Sequence, residues 1–352
     1  MTKLRIKEAL KKYHKIEIEL LLAHVLKKPK EFLFMNPDKS LSAGQLISLS
    51  ALVKRREKGE PIAYIVGYKD FMGLRFMVNK NVLIPRPETE WVIDRVSAVF
   101  PSFLRRGGLN ASEGRGGWRL QDNYSNPSVA SKATPSLKKG RKLQGAIKIL
   151  DVGTGSGAII ISLAKTLTLP SPRGRGKLQL YASDISPAAL KVARQNAKFY
   201  KAPVKFIKSD LLKNTKDDFD IIIANLPYLA PVWSSANLKY EPKQALFTKE
   251  KGLMLIRRLL NQIADKPKKP RLIYVEFDPR QKRELSALIK KSLPGSKAKF
   301  YKDYNNFWRY AEISCVIPGE SDEPRNRFKS LVRDPSAPRM RSSVGMTDWL
   351  IL

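Results

Sequence analysis

Apolar positions recur with a helical period over residues 1 to about 57. Met1 to Lys28 is an amphipathic stretch with Glu8, Glu17 and Glu19 among its lysines. Within it, Glu17–Leu26 carries helix-spaced apolar residues that Lys28-Pro29 terminates. A further helix opens at Leu41-Ser42, runs through Leu46, Leu49, Leu52 and Val53, and closes near Gly59-Glu60-Pro61. Ala63–Tyr68 and Leu74–Val78 then predict two short strands, and Phe71-Met72-Gly73 between them predicts a hairpin turn. Ile84–Glu90 leads into a helix over Trp91–Phe100, with Pro87 in its first turn and Glu88 and Glu90 at its positive end. That reading accounts for the prolines and acids. It leaves Arg86, fixed between two prolines, without a role.

From Ile147 the pattern changes to apolar runs alternating with helical ones. Strands are predicted at Ile147–Val152, up to Tyr181–Asp184, at Val204–Ile207, Phe219–Ala224 and Leu272–Phe277. Helices are predicted after Gly157, over Ala188–Tyr200, Lys251–Ile263 and Gln281–Lys291. Lys299–Asp303 and Phe307–Val316 meet at the turn residues Asn305-Asn306. The βα alternation predicts a doubly wound α/β sheet of five parallel strands, followed by an antiparallel pair.

Three stretches break these periods. Residues 101–145 and 169–177 are rich in Gly, Ser, Pro and Arg, and residues 317–352 repeat that character. They are expected to be two disordered inserts and a disordered tail. The remaining organisation is expected to be a helical docking module over 1–60, a β-hairpin linker over 61–86, and an α/β domain with its first helix over 87–100 and its sheet over 146–316.

Composition narrows the class. A chain of 352 residues with 43% hydrophobic and 28% charged residues can bury proper cores. No run approaches the roughly 18 uncharged apolar residues of a membrane span, so no membrane partner is expected. One cysteine, Cys315, excludes an internal disulfide framework and suits a reducing cytoplasm, the expected location. With only His14 and His24 beside it, a His/Cys metal site is not expected. The formal charge of +34 fits either a polyanionic neighbour, such as ribosomal RNA, or widely solvated lysine faces.

The candidate chemistry follows the first buried strand. Gly153, Gly155 and Gly157, with Thr154 and Ser156 between them, make a tight strand-to-helix turn that can approach a ligand closely. Their spacing is neither the dinucleotide fingerprint nor a phosphate-cradling P-loop. Asp184 ends the second strand, where a carboxylate can accept from both ribose hydroxyls of a nucleoside; capping the next helix is the alternative role. Asn225-Leu226-Pro227-Tyr228 ends the fourth strand at the same carboxyl edge. An amide oxygen and a backbone carbonyl can accept the two hydrogens of a planar NH₂ group while an aromatic ring stacks on it. A simple turn with a core tyrosine is the plainer reading.

Together Asp151–Gly157, Asp184, Ser209-Asp210 and Asn225–Tyr228 resemble the motifs of class I S-adenosylmethionine-dependent methyltransferases that act on planar nitrogens. Ile84–Glu90, preceded by Ala63–Gly67, resembles the HemK/PrmC family in particular, as do the helical N-terminal module, Tyr240–Leu246 and Gly252-Leu253. The resemblance implies a Rossmann-like sheet with an antiparallel last strand. It also implies methylation of the side-chain amide nitrogen of the Gly-Gly-Gln glutamine in peptide chain release factors. By position, Gly153–Gly157 would line the methionine side of the cofactor, Asp184 would bind its ribose, and Asp210 with Leu211 would border its adenine. Asn225–Tyr228 would hold the substrate amide. Leu226 stands where the family commonly has a second proline, and Val275–Asp278 departs from a stretch that usually contains glycine. An RNA or DNA adenine-N6 methyltransferase is the alternative.

Overall fold

The computed structural model describes residues 4–13, 17–106, 146–167, 178–233 and 238–315. Residues 107–145, the insert at 169–177 and the tail at 317–352 lie outside them.

The N-terminal module packs five helices: α1 (Ile6–Lys12), α2 (Ile18–Leu26), α3 (Lys30–Met35), α4 (Ala43–Glu57) and α5 (Ile62–Val66). They enclose a core in which Ile6, Leu21, Leu22, Leu33 and Leu49 are buried. Helix α4 begins where Ser42 Oγ accepts from the Gln45 backbone and Gln45 Oε1 accepts from the Ser42 backbone, a reciprocal cap.

Ala63–Val66 lies in helix α5, which corrects the expectation of a strand over Ala63–Tyr68. Five apolar residues are too few to separate the two periods. Pro61 precedes the helix, and Gly67, at φ +84°, ends it in the left-handed conformation. Winding this run lets Ile65 and Val66 join the N-terminal core while Ala63 packs with Val82 and Ile84 of the linker and Val192 beyond it.

The hairpin then follows as β1 (Tyr68–Phe71) and β2 (Leu74–Met77). Met72 and Gly73 turn it with φ of +50° and +69°.

Helix α6 (Glu90–Arg106) continues past Phe100, its expected end, because Pro101 withdraws one backbone donor without stopping the helix. The larger sheet comprises β3 (Ile147–Val152), β4 (Leu178–Asp184), β5 (Val204–Lys208), β6 (Ile221–Ala224), β7 (Leu272–Glu276), β8 (Lys297–Lys302) and β9 (Trp308–Ser314). Its order is β5-β4-β3-β6-β7-β9-β8. The first five strands are parallel, and β9 slots between β7 and β8, antiparallel to both. The sheet is therefore doubly wound with an antiparallel last strand. The intervening helices are α7 (Ala158–Thr166), α8 (Pro187–Phe199), α9 (Met254–Ala264) and α10 (Lys282–Ser292).

Both faces of this sheet are covered, which explains its near-continuous apolar strands. Alternate residues point to opposite layers. Ile149, Ile221, Ile223 and Tyr274 pack with α6 and α7; Leu150, Ile222, Ile273 and Val275 pack with α9 and α10. Among the described residues no helix is long and apolar enough to cross a membrane.

Asn196 of α8 fastens the hairpin to the sheet domain. Its Nδ2 donates to the carbonyls of Met77 and Ser156, at 3.0 and 2.9 Å, and its Oδ1 accepts from the Met77 backbone at 2.8 Å. Tyr200 adds a bridge: its hydroxyl accepts from the Arg75 backbone N–H and donates to the Arg75 carbonyl. Asn196→Ala strips the partners from three backbone groups at a buried junction. It should lower stability by about 2–4 kcal/mol, measured as a shift in the urea or thermal unfolding midpoint.

Candidate active site

The parallel register brings the expected loops together. Val152 of β3 lies beside Ser183 of β4 and Ala224 of β6, so Gly153, Asp184 and Asn225 each emerge at one carboxyl edge. The point where the winding reverses lies between β3 and β6, where open α/β sheets bind ligands.

A cleft of about 1320 Å³, its open mouth included, occupies this edge. Gly153–Ser156, Asp184, Ser209–Leu211 and Asn225–Pro227 line it. The linker contributes a further wall from Asn81 to Arg86, with Thr89 behind it.

The glycine turn has distinct duties at each position. Gly153 (φ +74°) takes a left-handed conformation, and a methyl on it would sit 3.0 Å from Leu226 Cδ2. Gly155 (φ +55°) would present a methyl to open space, so its bare face belongs to the cleft. Gly157 lies outside the lining; it precedes α7, and a side chain there would press on Ile161 and Ala193.

Asp184 holds the turn shut while facing the cleft. Its Oδ2 accepts from Gly155 N–H at 3.0 Å and its Oδ1 from Ser186 N–H at 2.9 Å. Burial nevertheless pushes its pKa upward. Ser186, and not Asp184, caps α8 by accepting from Ala189. Asp210 pairs with Arg258 of α9 at 2.6 Å and with Lys213 at 3.2 Å, and Leu211 beside it adopts a φ of +55°.

The Asn225 loop is braced from beneath. Asn225 Nδ2 donates to Thr89 Oγ1 at 3.2 Å, and Thr89 donates to Glu276 Oε2 at 3.0 Å. Tyr228 lies outside the cleft lining; its hydroxyl donates to Glu276 Oε1 at 2.9 Å. Glu276 is buried at the end of β7, and burial raises its pKa. Gln281 Nε2 donates to the carbonyls of Tyr228 and Lys251, at 2.6 and 2.7 Å. Gly252 packs so tightly here that a methyl would overlap the Tyr228 carbonyl and Gln281 Nε2. Leu226 is buried against the apolar layer of Val152, Leu211 and Leu253, which steadies the loop where proline would have stiffened it.

Arg86 acquires the partner that the sequence left open. Its guanidinium meets the buried Glu241 carboxylate at 2.5 Å, and Glu241 also accepts from Ile84 N–H at 3.3 Å. Tyr240, next in the chain, donates to the Lys58 carbonyl at 2.9 Å and so reaches the N-terminal module.

Such a doubly wound sheet with a glycine turn and an acid on the neighbouring strand end defines a class I methyltransferase domain, and residues 143–300 match the methyltransferase domain family model. Residues 2–67 match the PrmC N-terminal domain. The release factor glutamine methyltransferase of Lactococcus lactis is 31% identical over 263 residues, covering 74% of this chain and 79% of that protein. The Koribacter versatilis protein of the same name is 32% identical over 255 residues, covering 71% and 74%. A bifunctional methyltransferase of Rickettsia bellii is 34% identical over 282 residues, covering 78% of this chain but 47% of that relative, so the chain spans about half its length. The chain belongs to the HemK/PrmC family of release factor glutamine methyltransferases.

The residues present fit S-adenosylmethionine, the cofactor of this class. Beneath the glycine turn, Asp151 Oδ1 is buried and lacks a hydrogen-bond partner among the described residues, while Oδ2 accepts from Thr154 Oγ1 at 2.6 Å. An unpaired, buried carboxylate oxygen two residues before Gly153 adds the negative potential that suits the cationic methionine end of the cofactor, and the cleft-lining Asp184 suits its ribose diol.

Sequence reading missed Thr89, Glu241 and Glu276. Thr89 and Glu241 stood inside stretches singled out for their resemblance, but only the fold brings them against Asn225 and Arg86.

Asp151 carries a testable consequence. Burial, offset only in part by Thr154, pushes its pKa up to about 7 from 3.8. The folded chain therefore holds this proton more tightly than the unfolded one, so stability falls as pH rises from 3.8 through about 7 and the penalty is complete above that. Asp151→Asn mimics the protonated form. In ligand-free protein it should raise the thermal midpoint at pH 8, by a stabilisation on the order of 4 kcal/mol, and leave the midpoint at pH 4 nearly unchanged.

Proposed function

We propose that this chain methylates the side-chain amide nitrogen of the glutamine in the Gly-Gly-Gln motif of peptide chain release factors. What carries the reading is one juxtaposition: the Asn225 loop and the glycine turn line the same cleft, with Leu226 placed where any side chain on Gly153 would meet it.

S-adenosylmethionine, when bound, supplies an electrophilic methyl group. Gly153–Ser156 would hold its methionine end, Asp184 its ribose, and Asp210 with Leu211 its adenine. The acceptor poses the harder problem, because the lone pair of an amide nitrogen is delocalised into its carbonyl. Asn225 Oδ1 and the Leu226 backbone carbonyl would each accept one amide hydrogen, fixing the group and returning electron density to nitrogen. Pro227 would border the carboxamide, and Tyr228, tied to Glu276, would stiffen the loop. Positioning supplies much of the rate, and the amide proton becomes acidic only once nitrogen is alkylated, so the chain needs no general base beforehand.

The helical N-terminal module, joined to the cleft wall through Tyr240 and Lys58, would dock the protein substrate. The net charge of +34 adds attraction toward polyanions and suits a substrate that works beside ribosomal RNA in the cytoplasm.

The decisive measurement is a mass spectrum of a release factor co-expressed with this chain, in which one methyl should be added to the Gly-Gly-Gln glutamine. Labelled cofactor offered in parallel to ribosomal RNA should leave the RNA unlabelled; label on adenine instead overturns the assignment. Asn225→Ala should lower turnover by about 100-fold or more while cofactor affinity, read by calorimetry, stays within roughly threefold.

A further inference from the structure

Asn225 is useful to an incoming amide only if its carbonyl oxygen, and not its NH₂, faces the cleft. An asparagine side chain is nearly symmetric in shape, so packing alone does not choose between the two orientations. A neighbour of fixed hydrogen-bond polarity does.

That neighbour is Thr89, buried and 3.2 Å from Asn225 Nδ2. A threonine hydroxyl has one proton and can either give it to Asn225 or receive from it. Here the proton is committed to Glu276 Oε2 at 3.0 Å. Tyr228 gives its proton to the other carboxylate oxygen at 2.9 Å, and Tyr310 shares its own between the Glu88 carbonyl and Glu276 Oε2. Arg309 faces the same carboxylate with a positive charge, and its guanidinium is itself anchored on Asp303 at 3.2 Å. Arg309, Thr89 and Tyr228 favour the ionised form against the burial that opposes it, and an ionised carboxylate can only accept, so Thr89 and Tyr228 both turn their protons toward it.

We propose that Thr89 and Glu276 are positioning residues that set the orientation of the Asn225 amide. The Glu276 carboxylate draws the Thr89 proton, the Thr89 oxygen is left as an acceptor, and Asn225 must turn its NH₂ toward Thr89 and its oxygen toward the substrate. The same carboxylate fixes Tyr228 at the far end of the loop. This inference rests on the reading of Asn225 as the group that receives the substrate amide.

Two experiments test it. The first is steady-state kinetics with the release factor acceptor. Thr89→Val keeps the shape but loses the acceptor, and should lower kcat roughly 10- to 100-fold with cofactor affinity unchanged; Thr89→Ser should restore activity to within about threefold of wild type. A Thr89→Val enzyme with wild-type kcat, or a Thr89→Ser enzyme as impaired as Thr89→Val, overturns the proposal. The second is NMR of the ¹⁵N-labelled Asn225 side-chain amide in the presence of cofactor. Its protons should be protected from exchange in wild type and lose protection in both Thr89→Val and Glu276→Gln; unchanged signals overturn the proposal. If the wild-type chain leaves the release factor unmodified, the functional reading falls, while the NMR experiment still decides this one.

Discussion

The site depends on the in-register parallel pairing of three strands. Because β3, β4 and β6 run the same way and pair residue for residue at Val152, Ser183 and Ala224, each releases its loop at the same height. A slip of one residue would turn every buried isoleucine of the slipped strand to the opposite layer, so the hydrophobic pattern itself enforces the register. The residues lining the cleft are therefore placed by apolar burial, and the polar contacts above them make the final adjustments. Ile149, Leu150, Ile221 and Ile222 are as much a part of the site's geometry as the glycines.

The polar network performs a second task, that of joining parts distant in sequence. Asn196 and Tyr200 hold the hairpin, Glu241 holds Arg86 and Ile84, and Tyr240 reaches Lys58. Each uses a buried or half-buried side chain to satisfy backbone groups that no regular ladder serves. The cleft wall, the Asn225 loop and the helical module are thus bound into one body around the glycine turn.

Most of the sheet domain could be read from its sequence because periods of two and 3.6 alternate cleanly and glycine or proline marks the turns. The same holds for the helix start at Leu41-Ser42 and the Phe71-Met72-Gly73 hairpin turn, where local chemistry decides local structure. Ala63–Val66 misled because so short an apolar run suits either period, and only its division between two cores selects the helix. The expected end of α6 falls short at Phe100 because the composition changes there, whereas the helix itself runs on through Arg106. The candidate site was legible in its loops but not in its supports. Thr89 and Glu276 are 187 positions apart, and nothing in either segment announces the other. Tyr228 shows the same limit: its residue type pointed to an aromatic face, and only the fold reveals that its hydroxyl is tied to Glu276.

Gly252 has a bearing on how this protein can diverge. It lies on the approach to α9, far in sequence from the glycine turn, yet it admits no side chain because the Tyr228 carbonyl and the Gln281 amide fill the space. Drift at that position cannot proceed through alanine, the smallest chiral step, without prying the acceptor loop from its brace. A change at 281 would clear only part of that space, because the nearest obstacle is the backbone of Tyr228, so position 252 is held to glycine by the path of the Asn225 loop itself.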